Sequence, residues 1–246
     1  MPSNLYVSSA GAMARLTQLD LVANNIANAG TTGYKRDGAF FESVLQASLQ
    51  DEEGEPIQGL PGLEFVRSHG IANDFESGSV ERTGAPLDVA IHGPGFLEVQ
   101  TDKGLRYTRA GSLMVNAEGT LTTRDGQAVM GEGGPIQITG TGARIEPGGE
   151  IKDDAGNELG RLKLVEFQNT AELRKEGHQR FAAGENAGPV TALNPSFLTQ
   201  SLEGSNVNPV NELSTLVALQ RAFDANIRTM QADDEATSRL LREIQG

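Results

Sequence analysis

Apolar residues recur every three or four positions near the start of the chain, in a stretch (12–29) without glycine or proline. These positions are Ala12, Leu16, Leu19, Ala23 and Ile26. Alternating steps of four and three are the spacing of a coiled-coil seam. The pattern predicts an N-terminal helix that stops at the run Ala29-Gly30-Thr31-Thr32-Gly33, because glycine favours helix ends.

The same spacing returns at the other end of the chain and continues much further. Its positions are Leu213, Leu216, Gln220, Phe223, Ile227, Met230, Asp234, Thr237, Leu241 and Ile244. Asn208-Pro209 reads as an N-cap followed by proline at the first helical position. A helix from Pro209 to about Ile244 is about 50 Å long, and such length indicates a coiled coil or a helical assembly.

The middle of the chain has a different pattern, in which short apolar runs alternate with turn signals. Sixteen of the 30 glycines lie between Gly84 and Gly160. Three turns, at 102–104, 116–119 and 125–126, have hairpin chemistry. The predicted strands are Leu87–Ile91, Phe96–Thr101, Leu105–Arg109, Ser112–Val115, Thr120–Thr123, Ala128–Met130, Ile136–Thr139, Ala143–Glu146 and Leu159–Phe167. Their regular spacing predicts a compact antiparallel β domain.

Together these patterns predict an α+β fold with long N- and C-terminal helices paired as a coiled-coil-like stalk and a central antiparallel β domain. The expected regions are 1–34 and 207–246 (terminal helices), 35–84 and 190–206 (connecting, partly extended) and 85–189 (β-rich). Phe40–Leu45 could form a short helix, and Asn169 to Arg180 could be helix or loop. The stretch from Asp51 to Gly62 is acidic and rich in glycine and proline, which suggests an exposed loop. Its acidic segment Asp51–Glu55 lies either in solvent or against a surrounding structure.

Composition narrows the function classes. The net charge of −13 argues against binding nucleic acid or an anionic membrane surface, both of which need clustered Lys and Arg. The absence of cysteine excludes disulfides, thiolate catalysis and cysteine-based zinc sites. No apolar run is long enough for a membrane helix, and the first residues lack the features of a secretory signal peptide. Export would therefore require another route.

No enzyme motif or cofactor site stands out in this sequence, so we expect neither catalysis nor a cofactor. His69, His92 and His178 lie far apart and lack a second ligand at helical or hairpin spacing. The loop His92-Gly93-Pro94-Gly95-Phe96 lacks the third glycine and the lysine of a phosphate-binding loop. Alternatives are a secreted ligand-binding β module and a carbohydrate-processing β enzyme, and the latter would need two carboxylates converging in a cleft.

Four segments carry a resemblance to a known family. They are residues 24–36 (NNIANAGTTGYKR), residues 205–213 (SNVNPVNEL) followed by QRAF, and the pair 87–96 and 107–113 (LDVAIHGPGF and YTRAGSL) in the middle. Matches of this kind at both ends and in the middle, in this order, resemble the flagellar basal-body rod and hook axial proteins. The segments 131–136 and 160–165 most resemble the proximal rod branch, with the distal rod branch as nearest relative.

The resemblance implies a structural subunit without catalytic activity that self-assembles into a helical tube and transmits torque from motor to hook. The terminal helices would line the inner tube and the β domain would form an outer layer. Implied partners are other copies of the chain, other rod axial proteins and the flagellar type III export apparatus, with no nucleic acid and no direct membrane insertion. The implied location is the rod, which spans the periplasm, after export without a cleaved signal peptide. A distal rod or hook-type protein is the alternative within the family.

The residues expected to pack subunits together follow from the helical spacing and the two terminal motifs. On the seam they are Leu16, Leu19, Ile26, Leu213, Leu216, Phe223, Ile227, Met230 and Leu241. The asparagines Asn24, Asn25, Asn28, Asn206 and Asn208 are poor helix formers. Their amides either bind a neighbouring subunit or cap a local turn.

Overall fold

The computed structural model describes residues 3–45, 64–140, 142–177, 179–193 and 195–244. This part of the chain forms helices α1 (Ser3–Ala27) and α2 (Pro209–Ile244) and a short 3-10 helix (Thr170–Glu172). The strands, in chain order, are β1 (Asp37–Leu45), β2 (Glu64–Asn73), β3 (Val80–Arg82), β4 (Val89–Ile91), β5 (Phe96–Thr101), β6 (Gly104–Thr108), β7 (Leu113–Val115), β8 (Leu121–Thr123), β9 (Ala128–Gly131), β10 (Gly134–Pro135), β11 (Arg144–Ile145), β12 (Glu150–Lys152), β13 (Glu158–Arg161), β14 (Leu164–Phe167), β15 (Leu173–Lys175), β16 (Arg180–Ala183), β17 (Pro189–Thr191), β18 (Phe197–Thr199) and β19 (Ser201–Glu203). Asp51–Glu55 lies outside the described residues.

Both helix ends near the β strands follow the local chemistry of their sequence. At the end of α1, Asn28 donates its backbone N–H to Asn24 O and Asn25 O, both at 3.1 Å, which tightens the last turn. At the start of α2, Asn208 Oδ1 accepts from the backbone N–H of Val210 at 3.1 Å and of Asn211 at 3.3 Å. Asn208 is therefore the N-cap, as predicted, and the predicted bounds of α2 are confirmed.

The prediction of long terminal helices paired as a coiled-coil stalk is wrong. The described part of the chain has one helix of 25 residues at the N-terminus and one of 36 at the C-terminus. A coiled-coil seam requires buried side chains at successive a and d positions. Leu16 and Leu213, both predicted seam positions, are each 50% exposed, and Ala12 is the only described seam side chain that is buried. Heptad spacing identifies an apolar face of a helix but does not identify what covers it.

A branched ten-stranded sheet forms most of the β architecture. Its main path runs β15-β16-β6-β5-β9-β8-β7, and every strand pairing in this sheet is antiparallel. One edge of β5 pairs with β6 along its length, from Leu97 opposite Thr108 to Thr101 opposite Gly104. The other edge is shared between β14 and β9, because β14 pairs with the start of β5 and β9 with its end.

Smaller sheets complete the fold. Strands β11, β12 and β13 form a three-stranded antiparallel sheet. Strands β18 and β19 follow each other near the end of the β region and pair with β4 and β3 respectively. Strands β1 and β2 pair with each other. Through these pairings, β18 and β19 from the C-terminal half of the chain lie next to β4 and β3, which precede the strands of the large sheet.

Two apolar clusters form the core of the β region. The larger contains Val89, Ile91, Leu97, Val99, Leu113, Leu121, Val129, Ile136, Ile138, Ala143, Ile145, Ile151, Leu162, Leu164 and Phe197. The smaller contains Phe96, Tyr107, Val165, Leu173 and Phe181, with Phe75 and Phe167 against it, and its rings meet edge to face. With few aromatic residues in the chain, the larger cluster is built from aliphatic side chains.

The strand predictions hold best where a hairpin turn flanks the strand. Strand β5 has the predicted bounds, and the three predicted turns link β5 to β6, β7 to β8 and β8 to β9. The predicted strand Ile136–Thr139 does not form, although Ile136 and Ile138 are buried. The predicted strand Leu159–Phe167 is split into β13 and β14, which belong to different sheets. The suggested helix at Phe40–Leu45 is wrong, since this segment lies in β1.

The chain divides into two compact units. Unit 1 contains Met1–Ala23, Asp37–Ala72 and Leu213–Gly246, and so holds most of both helices and the β1–β2 pair. Unit 2 contains Asn24–Arg36 and Asn73–Glu212, and holds the large sheet with the smaller ones around it. The residues that follow α1 and those that precede and begin α2 thus belong to the β unit.

Candidate functional site

The segments that flank the two helices meet within unit 2. They are residues 28–36, which follow α1, and residues 201–212, which run from β19 into the first turn of α2. The end of β6 and the residues after it, 107–111, complete the arrangement. We call this the end-segment junction. Three stretches that resemble the flagellar axial proteins, far apart in sequence, thereby come together in one place.

A buried ionic group lies at the centre of the end-segment junction. Lys35 Nζ donates to Glu203 Oε1 at 2.7 Å, and the exposed fractions of the two side chains are 0% and 1%. Arg109 Nη1 reaches the other oxygen, Glu203 Oε2, at 3.3 Å. One buried carboxylate therefore serves two buried cations. A charge removed from water in this way must be paired and hydrogen-bonded to be tolerated.

Backbone carbonyl oxygens accept further hydrogen bonds from the two buried cations. Lys35 Nζ also donates to Glu76 O at 2.6 Å, and Arg109 Nη2 donates to Gly93 O at 2.8 Å. The Arg109 guanidinium lies over the Phe96 ring, 5.3 Å from its centroid. Burial lowers the pKa of Lys35, and the hydrogen bond and charge of Glu203 oppose that shift. These contacts connect three chain segments and the loop before β5.

A second ionic pair joins the N-terminal segment to the start of α2. Arg36 Nε donates to Glu212 Oε1 at 2.5 Å, and the Glu212 side chain is 4% exposed. Glu212 lies in the first turn of α2, where the helix dipole favours a negative charge. Asn206 adds a bridge, because its Oδ1 accepts from the Arg36 backbone N–H at 2.8 Å and its Nδ2 donates to Asp74 O at 3.0 Å.

Tyr34 connects the end of α1 to the β15 strand. Its hydroxyl donates to Asn25 Oδ1 at 3.2 Å, and Asn25 is 1% exposed. Lys175 Nζ lies 3.8 Å from the centroid of the Tyr34 ring and donates to Lys35 O at 2.7 Å. The cation–π contact and the hydrogen bond fix the orientation of the segment that carries Lys35.

Glycine permits the close approach of the N-terminal segment to the end of β6. Gly33 has φ +69°, and a Cβ at this position would lie 2.5 Å from Ala110 N. Its backbone N–H donates to Glu203 O at 2.8 Å. A side chain at position 33 would therefore meet both conformational strain and a backbone clash. The stop signal predicted from the sequence is also the point where the chain joins the sheet.

The structure separates the predicted subunit-packing residues into several environments. Asn25 is buried, and Asn28 donates to Asn24 O and Oδ1, both at 2.9 Å. Asn206 and Asn208 make the bridge and the N-cap described above. Leu16 and Leu213 are exposed, whereas the following are partly buried: Leu19, Ile26, Leu216, Phe223, Ile227 and Met230. The side chain of Leu241 lies outside the described residues. Of these fourteen, the end-segment junction includes Asn28, Asn206 and Asn208, with Asn25 bonded to it through Tyr34.

The charged residues of the end-segment junction are not among those that the sequence patterns single out. Lys35 and Arg109 lie within the quoted motifs, and Glu203 precedes one, but Lys35 and Glu203 are 168 positions apart. Spacing along a helix or strand cannot show such a pairing. The available signal is the presence of Lys and Arg in motifs that are otherwise uncharged, near glycines that allow close packing.

The described residues contain no group of three or more His, Cys, Asp or Glu side chains placed to hold a metal ion. Glu172, Glu176 and Glu185 line one surface depression, but Arg106 lowers the pKa of Glu176 by hydrogen bonding to its carboxylate. A general acid requires a raised pKa instead. Among the helices described, none combines the length and apolar character needed to cross a bilayer.

Comparison with known proteins matches the terminal segments and the β region separately. The family model for flagella basal body rod proteins matches residues 5–35. The model for the D1 domain of the flagellar hook proteins FlgE, FlgF and FlgG matches residues 90–154. The model for the C-terminal part of the rod proteins FlgE, FlgF and FlgG matches residues 198–243. The matched parts contribute Lys35, Arg109 and Glu203 to the end-segment junction.

Similarity to individual relatives extends over nearly the whole chain. The flagellar basal-body rod protein FlgF of Caulobacter vibrioides is 35% identical over 94% of this chain and 93% of its own length. FlgG of Agrobacterium fabrum is 34% identical over 95% of this chain and 96% of its own length. The chain belongs to the flagellar basal-body rod protein family, of the FlgF and FlgG type. FlgF of Escherichia coli, 33% identical over 97% of both chains, agrees with this. This rod protein is a structural subunit of the flagellar basal body.

Proposed function

We propose that this rod protein is a subunit of the proximal rod, with no enzymatic activity. It stacks with other copies and with other rod axial proteins into a helical tube that transmits torque from the motor to the hook. The assignment to the proximal end rests on the similarity of residues 131–136 and 160–165 to the proximal branch. Relatives of the FlgF and FlgG kinds match at nearly equal identity, so a distal rod or hook-type subunit is the alternative.

The observation that carries subunit stacking is an unburied apolar stripe on each helix. On α2, Val210, Leu213 and Val217 are 70%, 50% and 44% exposed, and their spacing of three and four places them on one face. On α1, Met13 and Leu16 are 70% and 50% exposed and also share a face. Burying such side chains fully is worth about 1.5–3 kcal/mol each. These stripes supply a driving force for association with neighbouring subunits.

The predicted subunit-packing residues take their place in this proposal. Leu16 and Leu213 contact neighbouring subunits directly, and the partly buried apolar positions on the two helices, together with Leu241, support the same faces. Asn24, Asn25, Asn28, Asn206 and Asn208 act mainly within the subunit, by holding the chain segments next to the helices. We further propose that residues 1–34 and 207–246 line the inner tube, that 85–189 forms the outer layer and that 35–84 and 190–206 connect them.

We also propose that the subunit reaches the periplasm through the flagellar type III export apparatus. The support is family membership, and the proposal makes a simple prediction about location. In a strain whose export apparatus is inactivated, the chain should accumulate in the cytoplasm. If it still reaches the periplasm in that strain, the export proposal is wrong while the structural role is unaffected.

Deletion and complementation test the structural role. A strain lacking this chain should be non-motile and should yield basal bodies with an incomplete rod, and the wild-type chain supplied in trans should restore both. A deletion strain that assembles a complete rod and swims normally would contradict the proposal. Purified wild-type chain assayed against polysaccharides should show no turnover, and measurable turnover would contradict the absence of catalysis.

A further inference from the structure

A polar cleft of about 320 Å³ lies within unit 2, and residues 30–32, 108 and 110 of its lining belong to the end-segment junction. The turn after α1, the end of β6, the β8–β9 turn and the start of β16 enclose it. The side chains that define it are Thr32, Ser112, Arg124, Asp125 and Arg180. We call it the arginine cleft. None of the roles described above uses it.

The hydrogen-bond donors on the side chains of the arginine cleft are not used in contacts within the described part of the chain. No hydrogen bond or ion pair joins the side chains of Thr32, Ser112, Arg124 or Arg180 to another group in the described part of the chain. Six other arginines, by contrast, pair with carboxylates: Arg36, Arg106, Arg109, Arg144, Arg161 and Arg239. Two guanidiniums and two hydroxyls that line one cleft therefore remain free to bind a ligand.

The wall of the cleft is held in a fixed and strained conformation. Gln179, which precedes Arg180, has φ +53°, a left-handed value that non-glycine residues rarely adopt. The hydroxyl of Thr108, which is 1% exposed, donates to Gln179 O at 2.9 Å and accepts from the Ala110 N–H at 3.1 Å. Strain of this kind persists only where the surroundings over-determine it, and it concentrates at binding sites. The strained turn sets the position from which Arg180 extends.

The charge of the cleft indicates what it binds. Among the residues that line the cleft, Arg124 and Arg180 against Asp125 leave one excess positive charge, in a chain whose net charge is −13. Glu176, outside this lining, also interacts with the charge of Arg180. Planar guanidiniums bind carboxylates through paired hydrogen bonds, and free hydroxyls add neutral donors and acceptors. The most abundant carboxylates near this subunit in an assembly of identical chains are those of its neighbours.

We propose that the arginine cleft binds a carboxylate-bearing segment of a second copy of this chain. This inference rests on the proposed stacking of subunits and adds to it a specific polar contact on the β unit. A basic cleft cannot itself supply the carboxylates that it binds, so the contact joins different patches of two copies and is head-to-tail. Head-to-tail contacts generate open helical filaments when the rotation does not close.

Charge reversal tests the cleft against a matched control. The double variant R124E/R180E changes the net charge from −13 to −17, and R82E/R174E does the same at two exposed arginines outside the cleft. The first should fail to restore motility in the deletion strain, whereas the second should restore it. Thermal unfolding of the purified chains should give matching midpoints. Loss of motility in both variants, or in neither, would overturn the proposal.

Cross-linking identifies the occupant. The chain has no cysteine, so G30C introduces a single one on the cleft lining while both arginines stay in place, and a benzophenone maleimide is attached to it in isolated basal bodies. Irradiation should link residue 30 to an Asp- or Glu-containing peptide of a second copy, as shown by a dimer on a gel and by mass spectrometry. Links only within one chain, only to another protein, or to a peptide without carboxylates would overturn it.

The same preparation separates this inference from the proposed function. If the wild-type chain is absent from purified basal bodies, the proposed function is refuted and the cleft proposal is refuted with it. If the chain is present but G30C gives no link to a second copy, the cleft proposal alone is refuted. R174C, labelled in the same way outside the cleft, shows that the reagent reaches the assembled subunit.

Discussion

Lys35 Nζ and Glu203 Oε1 lie 2.7 Å apart with both side chains closed to solvent, although 168 positions separate them in the chain. Because Arg109 binds the other oxygen of the same carboxylate, Glu203 is the ion-pair partner of both buried cations. The contributions of the two partners to stability are therefore unequal. Removal of the acid leaves two unpaired buried charges, whereas removal of the lysine leaves a matched pair.

This asymmetry gives the first prediction. E203Q should lower the free energy of unfolding by about 3–5 kcal/mol, the usual cost of breaking a buried ion pair. K35M should cost less, because Glu203 keeps Arg109 as a partner. Urea unfolding of the full chain measures both. An equal or larger loss in K35M would contradict the assigned geometry of the group.

The second prediction concerns Gly33 at the end of the N-terminal segment. G33A should destabilise the chain by more than G84A, because both positions have positive φ but only Gly33 faces a backbone within 4 Å of a new Cβ. The left-handed conformation alone costs about 1–2 kcal/mol for a residue with a Cβ. G84A should show that cost, and the excess in G33A should report the clash with Ala110. Equal losses would mean that the loop relaxes freely.

The third prediction addresses the apolar stripe on α2. L213D places a charge on the exposed stripe, whereas A218D places one on an exposed position away from it. Both should leave the stability of the isolated chain nearly unchanged. In the deletion strain, L213D should abolish rod assembly and A218D should retain it, as measured by motility and the yield of basal bodies. A motile L213D strain would show that this face is not an interface.

The fourth prediction is a dependence of stability on pH. Arg161, which hydrogen-bonds to the Glu150 carboxylate between β12 and β13, lowers the pKa of Glu150. A carboxyl with a lower pKa in the folded state adds stability that is present at neutral pH and lost as pH falls through the folded pKa. E150Q should therefore lose less stability than the wild type between about pH 6 and about pH 3.

R161Q is the control for that experiment, because it leaves the carboxyl in place but removes the group that shifts its pKa. The stability of R161Q should decrease less steeply with falling pH than that of the wild type, as for E150Q. Parallel pH profiles for the wild type and both variants, measured by urea unfolding, would show that the ion pair contributes nothing. The pair is partly exposed, so the difference should be small but of fixed sign.

Local chemistry explains which parts of the fold were predictable. The α2 helix has an N-cap asparagine, a proline at its first position and uninterrupted spacing, and its bounds follow from these alone. Strand β5 precedes the hairpin turn 102–104, and its bounds were also predicted. Wherever the determinants of an element lie within a few residues of it, the sequence is sufficient.

The errors concern relationships between distant parts of the chain. The apolar spacing in α1 and α2 indicates that each helix has an apolar face. The prediction that these two faces pair with each other in a coiled coil is wrong. Ile136 and Ile138 alternate as in a strand, and both are buried. Their backbone groups hydrogen-bond to Leu121 and Gly119 without forming a regular strand ladder. The Lys35–Glu203 pair depends on topology, so no periodic pattern could identify it. The candidate site was thus predicted as three motifs, without its geometry.

Electron cryo-microscopy of purified basal bodies can locate this chain along the rod. Maps from the wild type and from a strain in which this chain carries a compact tag after residue 154, at an exposed turn, should differ at the rod. We expect extra density on the outer surface of the rod at its motor-proximal end. Extra density at the hook-proximal end would favour the distal alternative. If no extra density lies anywhere on the rod, the claim that this chain is a rod subunit is contradicted.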